Sequence, residues 1–159
     1  MNYIIKNFNE LSLLELYEIL RSRSEIFIME QGMRCQEMDG VDIRAKHYYL
    51  EENGKILAYL RVFYEDEHRC IVRIGRVISM THGIGLGAEI MNRAIADIKE
   101  NMNCQKICID AQTQAVGFYE KFGFQAVSKE FLEEGIPHIK MELAISEISN
   151  GRNRRRTDE

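Results

Sequence analysis

Apolar and polar positions change their spacing along this chain, and the changes mark out successive strands and helices. Tyr3 to Lys6 reads as a first strand. Ser12-Leu13-Leu14-Glu15 then has the form of a capping box, in which a serine and a glutamate three positions later satisfy each other's free backbone N–H groups at a helix start. Leu13, Leu16, Tyr17, Leu20 and Phe27 recur at helical spacing, which predicts a helix to about Glu30 packed by that stripe on something flat. Gln31 to Arg44, with Gly32, Asp39, Gly40 and Asp42, reads as an irregular loop, the kind of segment on which function often sits.

Two strand-like runs follow, His47 to Glu51 and Lys55 to Tyr64. Asn53-Gly54 joins them, and both turn residues accept positive φ, so the pair should be antiparallel. A third long strand, Cys70 to Ser79, comes after the polar turn Glu65 to Arg69. The period then changes again. From Leu86 the stripe Ile90, Met91, Ala94, Ile95 and Ile98 marks an amphipathic helix, and Lys106 to Asp110 reads as a buried strand reached by a crossover. A shorter helix is predicted over about Thr113 to Lys121 before Gly123, with strands at Phe124 to Ser128 and Ile139 to Leu143. The sum is an α+β domain: a central mixed, mostly antiparallel sheet of about six or seven strands flanked by helices.

With 159 residues and 45% hydrophobic content, the chain can build one core, and a single domain over 1–145 is expected. Residues 146–159 carry Asn150-Gly151 and the run Arg152, Arg154, Arg155, Arg156 with no apolar periodicity, and read as a disordered basic tail. The net charge of -4 argues against a general nucleic-acid binder and suits a cationic partner. No apolar run is long enough to span a bilayer and the N-terminus lacks signal-peptide organisation, so no membrane association and a cytoplasmic location are expected. Cys35, Cys70, Cys104 and Cys108 have no CxxC spacing, so reduced thiols and no metal are expected.

The segment that carries chemistry is Val77-Ile78-Ser79-Met80-Thr81-His82-Gly83-Ile84-Gly85-Leu86-Gly87-Ala88. A strand ends, glycines follow, and a helix begins. Glycines let the backbone approach a bulky anion, and the unpaired N–H groups of a helix N-terminus attract phosphate through hydrogen bonds and the helix dipole. A dinucleotide-binding reading fails because G-x-G-x-x-G is absent and the preceding strands form an antiparallel meander; the phosphate-loop lysine of nucleotide hydrolases is missing too.

A second segment sharpens the picture: Asp110-Ala111-Gln112, Ala115, then Phe118-Tyr119-Glu120-Lys121-Phe122-Gly123-Phe124. Together, and in this order and separation, the two resemble the GNAT superfamily of N-acetyltransferases. The first is similar to its Q/R-x-x-G-x-G/A pyrophosphate loop and the second to its A-x-x-x-Y-x-K-x-G-F helix and strand. Arg21 to Gln31, Asp39-Gly40, His47, Gly75-Arg76-Val77 and Gly135-Ile136-Pro137-His138 further resemble the ElaA branch, so the similarity covers about residues 3 to 145. There are two departures. His82 stands where Arg or Gln usually opens the loop, and Gln112 stands for a frequent Asn.

The resemblance implies transfer of an acetyl group from acetyl-CoA to a primary amine by direct attack in a ternary complex. It implies cofactor contacts at Val77, Ile78, His82, Gly83, Ile84, Gly85, Leu86, Gly87, Ala88, Gln112 and Phe118, and a general acid for the leaving thiolate at Tyr119. For the base that deprotonates the amine the candidates are Glu30, Asp39, His47 and His138, with Glu30 and His47 put forward. Direct attack disfavours Cys108 as an acyl-carrying nucleophile, the alternative being a ping-pong route through that thiol. The resemblance also allows a homodimer. The rival readings are an acyl-CoA-binding sensor or interaction module without turnover, and a structural oligomer that only keeps the fold.

Overall fold

Ser12 Oγ accepts a hydrogen bond from the Glu15 N–H at 3.1 Å, and Glu15 Oε1 accepts from the Ser12 N–H at 2.9 Å, so the capping box forms as the sequence predicts. It opens helix α1 (Leu13–Ser24) in the computed structural model, which describes residues 1–146. The expected basic tail, from 147 onward, lies outside the described residues. α1 does not continue unchanged to Glu30. Residues Glu25–Glu30 widen into a π-helical turn, closed by the Gln31 N–H donating to Ile26 O five residues back.

The buried face of this helix is not the predicted one. Ile19, Ser22, Arg23 and Ile26 are buried, at helical spacing, whereas Leu13 and Tyr17 are 87% and 69% exposed. The reason is Arg23, a fully buried charge that finds two carboxylates beneath the helix, Glu37 and Asp42. A stripe read from hydrophobicity alone discounts a polar residue that folds inward with its partners.

The strands are β1 (Asn2–Asn7), β2 (Lys46–Glu52), β3 (Lys55–Asp66), β4 (Ile71–Ser79), β5 (Lys106–Gln112), β6 (Gln125–Ala126), β7 (Phe131–Glu133) and β8 (Ile136–Ala144). The further helices are α2 (Leu86–Asn101) and the short α3 (Val116–Glu120). Among the described residues the strands form one eight-stranded sheet in the order β1-β2-β3-β4-β5-β8-β6, with β7 also paired to β8. Every pairing is antiparallel except β4 with β5. The count exceeds the predicted six or seven by β7, a three-residue exposed strand too short to show a period. It pairs with β8 through Glu134-Gly135, both in the left-handed region (φ 50° and 75°), as a two-residue hairpin requires.

The helices cover both faces. On one, Ile90, Met91, Ala94 and Ile98 of α2 pack with Leu60, Val72 and Ile107, and α3 adds Tyr119. On the other, Ile19 and Ile26 meet Tyr49, Tyr59 and Ile78. A fully buried side chain of the size of Ile or Met contributes about 1.5–3 kcal/mol, so α2, with Ile90, Met91 and Ile98 so buried, is firmly seated where β4 ends.

Candidate active site

β4 and β5 pair over only three positions, Ile71 with Lys106, Val72 with Ile107 and Arg73 with Cys108. Beyond these both strands continue but diverge, leaving a wedge between Ile74–Val77 and Ile109–Gln112. On its other edge β4 carries a bulge: Arg61 opposes Gly75 and Tyr59 opposes Ile78, so Arg76 and Val77 face Leu60 alone. Arg76 sits there with φ 53°, which bends the strand away from β5. The result is a cleft of about 620 Å³.

One wall is the loop between α1 and β2, held by ion pairs. Glu37 Oε1 accepts from Arg23 and from Arg76 Nε, the latter at 2.8 Å. Asp39 binds Arg61 through both oxygens, at 2.9 and 2.6 Å, and Asp42 Oδ1 accepts from Arg23 at 2.6 Å and Arg61 at 3.0 Å. Burial alone would raise the Asp39 and Asp42 carboxyls, but the arginines outweigh it and hold both below the usual carboxylate range. His47 lies under this network, not in the cleft. It is fully buried; Nε2–H donates to Asp42 O at 2.9 Å, and Nδ1 accepts from the Tyr59 hydroxyl at 2.7 Å. Burial pushes its imidazole below its ordinary pKa, and neither nitrogen is free for a substrate.

The opposite wall follows from strand alternation. On β5, Ile109 and Ala111 enter the core under α2 and α3, which turns Asp110 and Gln112 to the other face. On β8, Met141 is core, and His138, three positions earlier and across from Gln112, points to the cleft. Gln112 Nε2 donates to Gln31 Oε1 at 3.0 Å, tying the end of β5 to the end of the π turn, while its own Oε1 accepts from Gln114 at 2.8 Å.

Tyr119 rises from α3 into the same cleft. Its ring meets Phe118 and Phe124 edge-on, with centroids 5.1 and 6.1 Å away. No other described group hydrogen-bonds its hydroxyl, and burial pushes the phenol above its ordinary pKa. Phe118 also touches the start of α2: a Cβ on Gly87 would lie 3.5 Å from its ring.

The glycine segment lies past the end of β4. Gly83 and Gly85 both have φ 81°, the second as the N-cap of α2, and the first amide bonded within that helix is Glu89, to Gly85 O at 3.0 Å. Leu86, Gly87 and Ala88 therefore present free amides at the helix N-terminus. Leu86 anchors the turn in the core, and Ile84 is exposed. Val77 lines the cleft, whereas Ile78 turns its side chain into the core beside α1. His82 is exposed and its Nε2–H donates to Glu30 Oε1 at 3.2 Å, which puts Glu30 at the loop and away from Tyr119's cleft lining. Cys108 is buried on β5, on the face opposite Ile107 and Ile109, and burial raises its thiol, which suppresses the thiolate. Among the described residues no three His, Cys, Asp or Glu side chains group to hold a metal, and no helix is long and apolar enough to cross a membrane.

The sequence reading missed Glu37, Arg61 and Arg73. Arg61 and Arg73 were within reach, because each interrupts a strand otherwise rich in apolar residues. Glu37 carries no such signal, since the loop that holds it has no period.

The sequence family described as "Acetyltransferase (GNAT) domain" matches residues 23–145. A UPF0039 protein of Schizosaccharomyces pombe is 34% identical over 149 residues, covering 91% of this chain and 98% of that one. Protein ElaA of Escherichia coli is 32% identical over 137 residues, covering 84% of this chain and 90% of its own. Among solved structures, an acyl-CoA N-acyltransferase from Pseudomonas aeruginosa superposes with a TM-score of 0.82 at 36% identity, over 91% of this chain and all of that one. The crystal structure of Escherichia coli ElaA gives the same TM-score at 29% identity, over 89% of this chain and 99% of that one. With the splayed β4 and β5 and the glycine turn capping α2, these similarities identify the chain as a member of the GNAT acetyltransferase superfamily, in its ElaA-like branch.

Proposed function

We propose that this protein transfers an acetyl group from acetyl-CoA to a primary amine by direct attack in a ternary complex. The observation that carries the reading is the cleft where β4 leaves β5 after Arg73, with a free helix N-terminus at one end and the unbonded Tyr119 hydroxyl inside it. The amides of Leu86, Gly87 and Ala88, with the loop from His82 to Gly85, receive the pyrophosphate. The edge of β4 at Val77 and Ile78 offers backbone groups to the pantetheine arm and to the oxyanion, and Gln112 and Phe118 flank it. The amine nitrogen forms the new C–N bond, the thioester C–S bond breaks, and Tyr119 donates its proton to the departing thiolate.

Starting from an ammonium acceptor, one of its three protons stays on the amide, one replaces the proton Tyr119 has given to sulfur, and one goes to solvent. Raised by burial, the Tyr119 phenol is protonated at neutral pH, so it holds the proton that the thiolate takes. A cationic acceptor also suits the chain's net charge of -4. The test is thiol release by the full chain with acetyl-CoA and three amines: spermidine, Nα-acetyl-lysine amide and a tripeptide with a free N-terminus. Mass spectrometry then identifies the acetylated product. Failure of acetyl-CoA to bind in calorimetry, or binding with no transfer to any amine across pH 6.5 to 9.5, would overturn the reading.

A further inference from the structure

The acetyl-transfer reading sends one ammonium proton to solvent but names no residue that takes it from the nitrogen. Most ionisable groups lining the cleft are already engaged: Glu37, Asp39 and Arg76 with one another and with Arg23 and Arg61, and Glu65 and Asp110 with Arg73. We propose that His138 takes the proton from the ammonium form of the acceptor. The inference rests on that reading and adds to it the residue that makes the amine nucleophilic.

A backbone carbonyl fixes the tautomer of His138. His138 Nδ1 lies 2.7 Å from the backbone oxygen of Ile136. A carbonyl can only accept, so Nδ1 carries the hydrogen, and in the neutral ring Nε2 holds a lone pair. Turning the ring over would lose that bond, and stacking on Phe131, centroids 6.0 Å apart and 26° between planes, holds the ring's plane. His138 is only 4% exposed, yet it lines the cleft, and Nε2 has no hydrogen-bond partner among the described residues.

Charged groups flank the ring from three elements. Glu133 Oε2, from β7, lies 3.6 Å from Nε2, beyond a hydrogen bond but positioned to pair with an imidazolium. Glu134 lines the cleft from the tip of the same hairpin, and Asp110 and Arg73 line it from β5 and β4. In the step itself the Nε2 lone pair takes one ammonium proton, the amine recovers its own lone pair, and His138 becomes a cation facing Glu133. Attack then proceeds as above, and the imidazolium returns its proton to water through the open cleft. His47, the other buried histidine, has neither a free nitrogen nor a place in the cleft.

The variant to compare is His138→Asn, whose side-chain amide can still donate to Ile136 O but carries no base. With whichever of the three amines the parent acetylates, acetyl-CoA affinity should stay within about twofold, while kcat at pH 7 should fall by about 10²–10⁴-fold, the usual reach of general-base catalysis. With spermidine or the lysine amide the gap should narrow about tenfold or more by pH 9.5, because a much larger share of an alkyl ammonium of pKa ~10.4 is then already neutral; with the tripeptide, whose α-amine has a pKa of about 8, most of the narrowing should be complete by about pH 8.5. A variant whose kcat and pH profile match the parent's would overturn the role of His138 and leave acetyl transfer standing. A parent that acetylates no amine would instead sink both. Nitrogen-15 NMR of the parent's His138 is independent of acceptor and of the variant's folding: the Nδ1–H tautomer is expected, and an Nε2–H tautomer would overturn the inference.

Discussion

Arg73 Nη1 lies 2.9 Å from Asp110 Oδ2, so a side-chain bridge spans β4 and β5 just past Cys108, where their backbone pairing stops. Arg73 Nε also donates to Glu65 Oε2 at 2.7 Å. Burial alone would lower the arginine's pKa; its carboxylate partners more than offset this and hold it above its ordinary value. Arg73→Ala would leave Glu65 and Asp110 facing the cleft without their cation. The expected cost is about 1–3 kcal/mol, as a lower midpoint in urea titration. An unchanged midpoint would mean that packing alone holds the vertex.

The turn before α2 distinguishes two glycines. No atom would crowd a Cβ on Gly85, but its φ of 81° is a region that side chains rarely enter, and it is the residue from which α2 starts. Gly85→Val should cost about 1–2 kcal/mol or more in thermal unfolding. By misdirecting the first free amides it should weaken acetyl-CoA binding by about tenfold or more, a loss of ~1.4 kcal/mol. Gly87→Ala is the control, since its Cβ would make an ordinary contact with Phe118 at 3.5 Å. If both variants bind acetyl-CoA like the parent, the loop is a turn and nothing more.

These two sites also mark what the sequence could and could not reveal. Strand alternation and the α2 stripe were legible because each buries one face, so Ile109 and Ala111 give away Asp110 and Gln112 between them. The glycine turn was legible because left-handed backbone selects for glycine. The α1 face was misread, since Arg23 goes inward only because Glu37 and Asp42 meet it there. His47 was put forward as a base because composition cannot tell a histidine with both nitrogens bonded from one with a free lone pair. That difference is made by Tyr59 and the Asp42 carbonyl, twelve and five residues away.

Glu15 gives a pH dependence of stability. Burial alone would raise its pKa, but hydrogen bonds from the Tyr49 hydroxyl, the Ser12 N–H and Lys6 outweigh this and lower it from 4.5 to about 2. A carboxyl with a depressed folded pKa contributes stability that is fully present above its unfolded value and lost as pH falls through its folded value. Acid should therefore remove this contribution between pH 4.5 and about 2. Glu15→Gln should be less stable at pH 7 and lose less on acidification over that window, read as melting temperature against pH. Parallel curves for parent and variant would show that Glu15 is no better held in the folded chain than in the unfolded one.

Tyr119→Phe separates proton donation from packing. The hydroxyl has no partner among the described residues and the ring's contacts are with Phe118 and Phe124, so phenylalanine keeps those contacts and leaves no buried group orphaned. Stability and acetyl-CoA affinity should change little. If Tyr119 protonates the departing thiolate, kcat should fall by about 10²–10⁴-fold with KM for the acceptor nearly constant. The loss should be smaller when the leaving thiol is less basic, since a better leaving group needs less help from an acid. A thioester made with an aromatic thiol tests that directly. Equal losses with both thioesters would mean that the hydroxyl positions the acyl group and that the proton reaches sulfur from water.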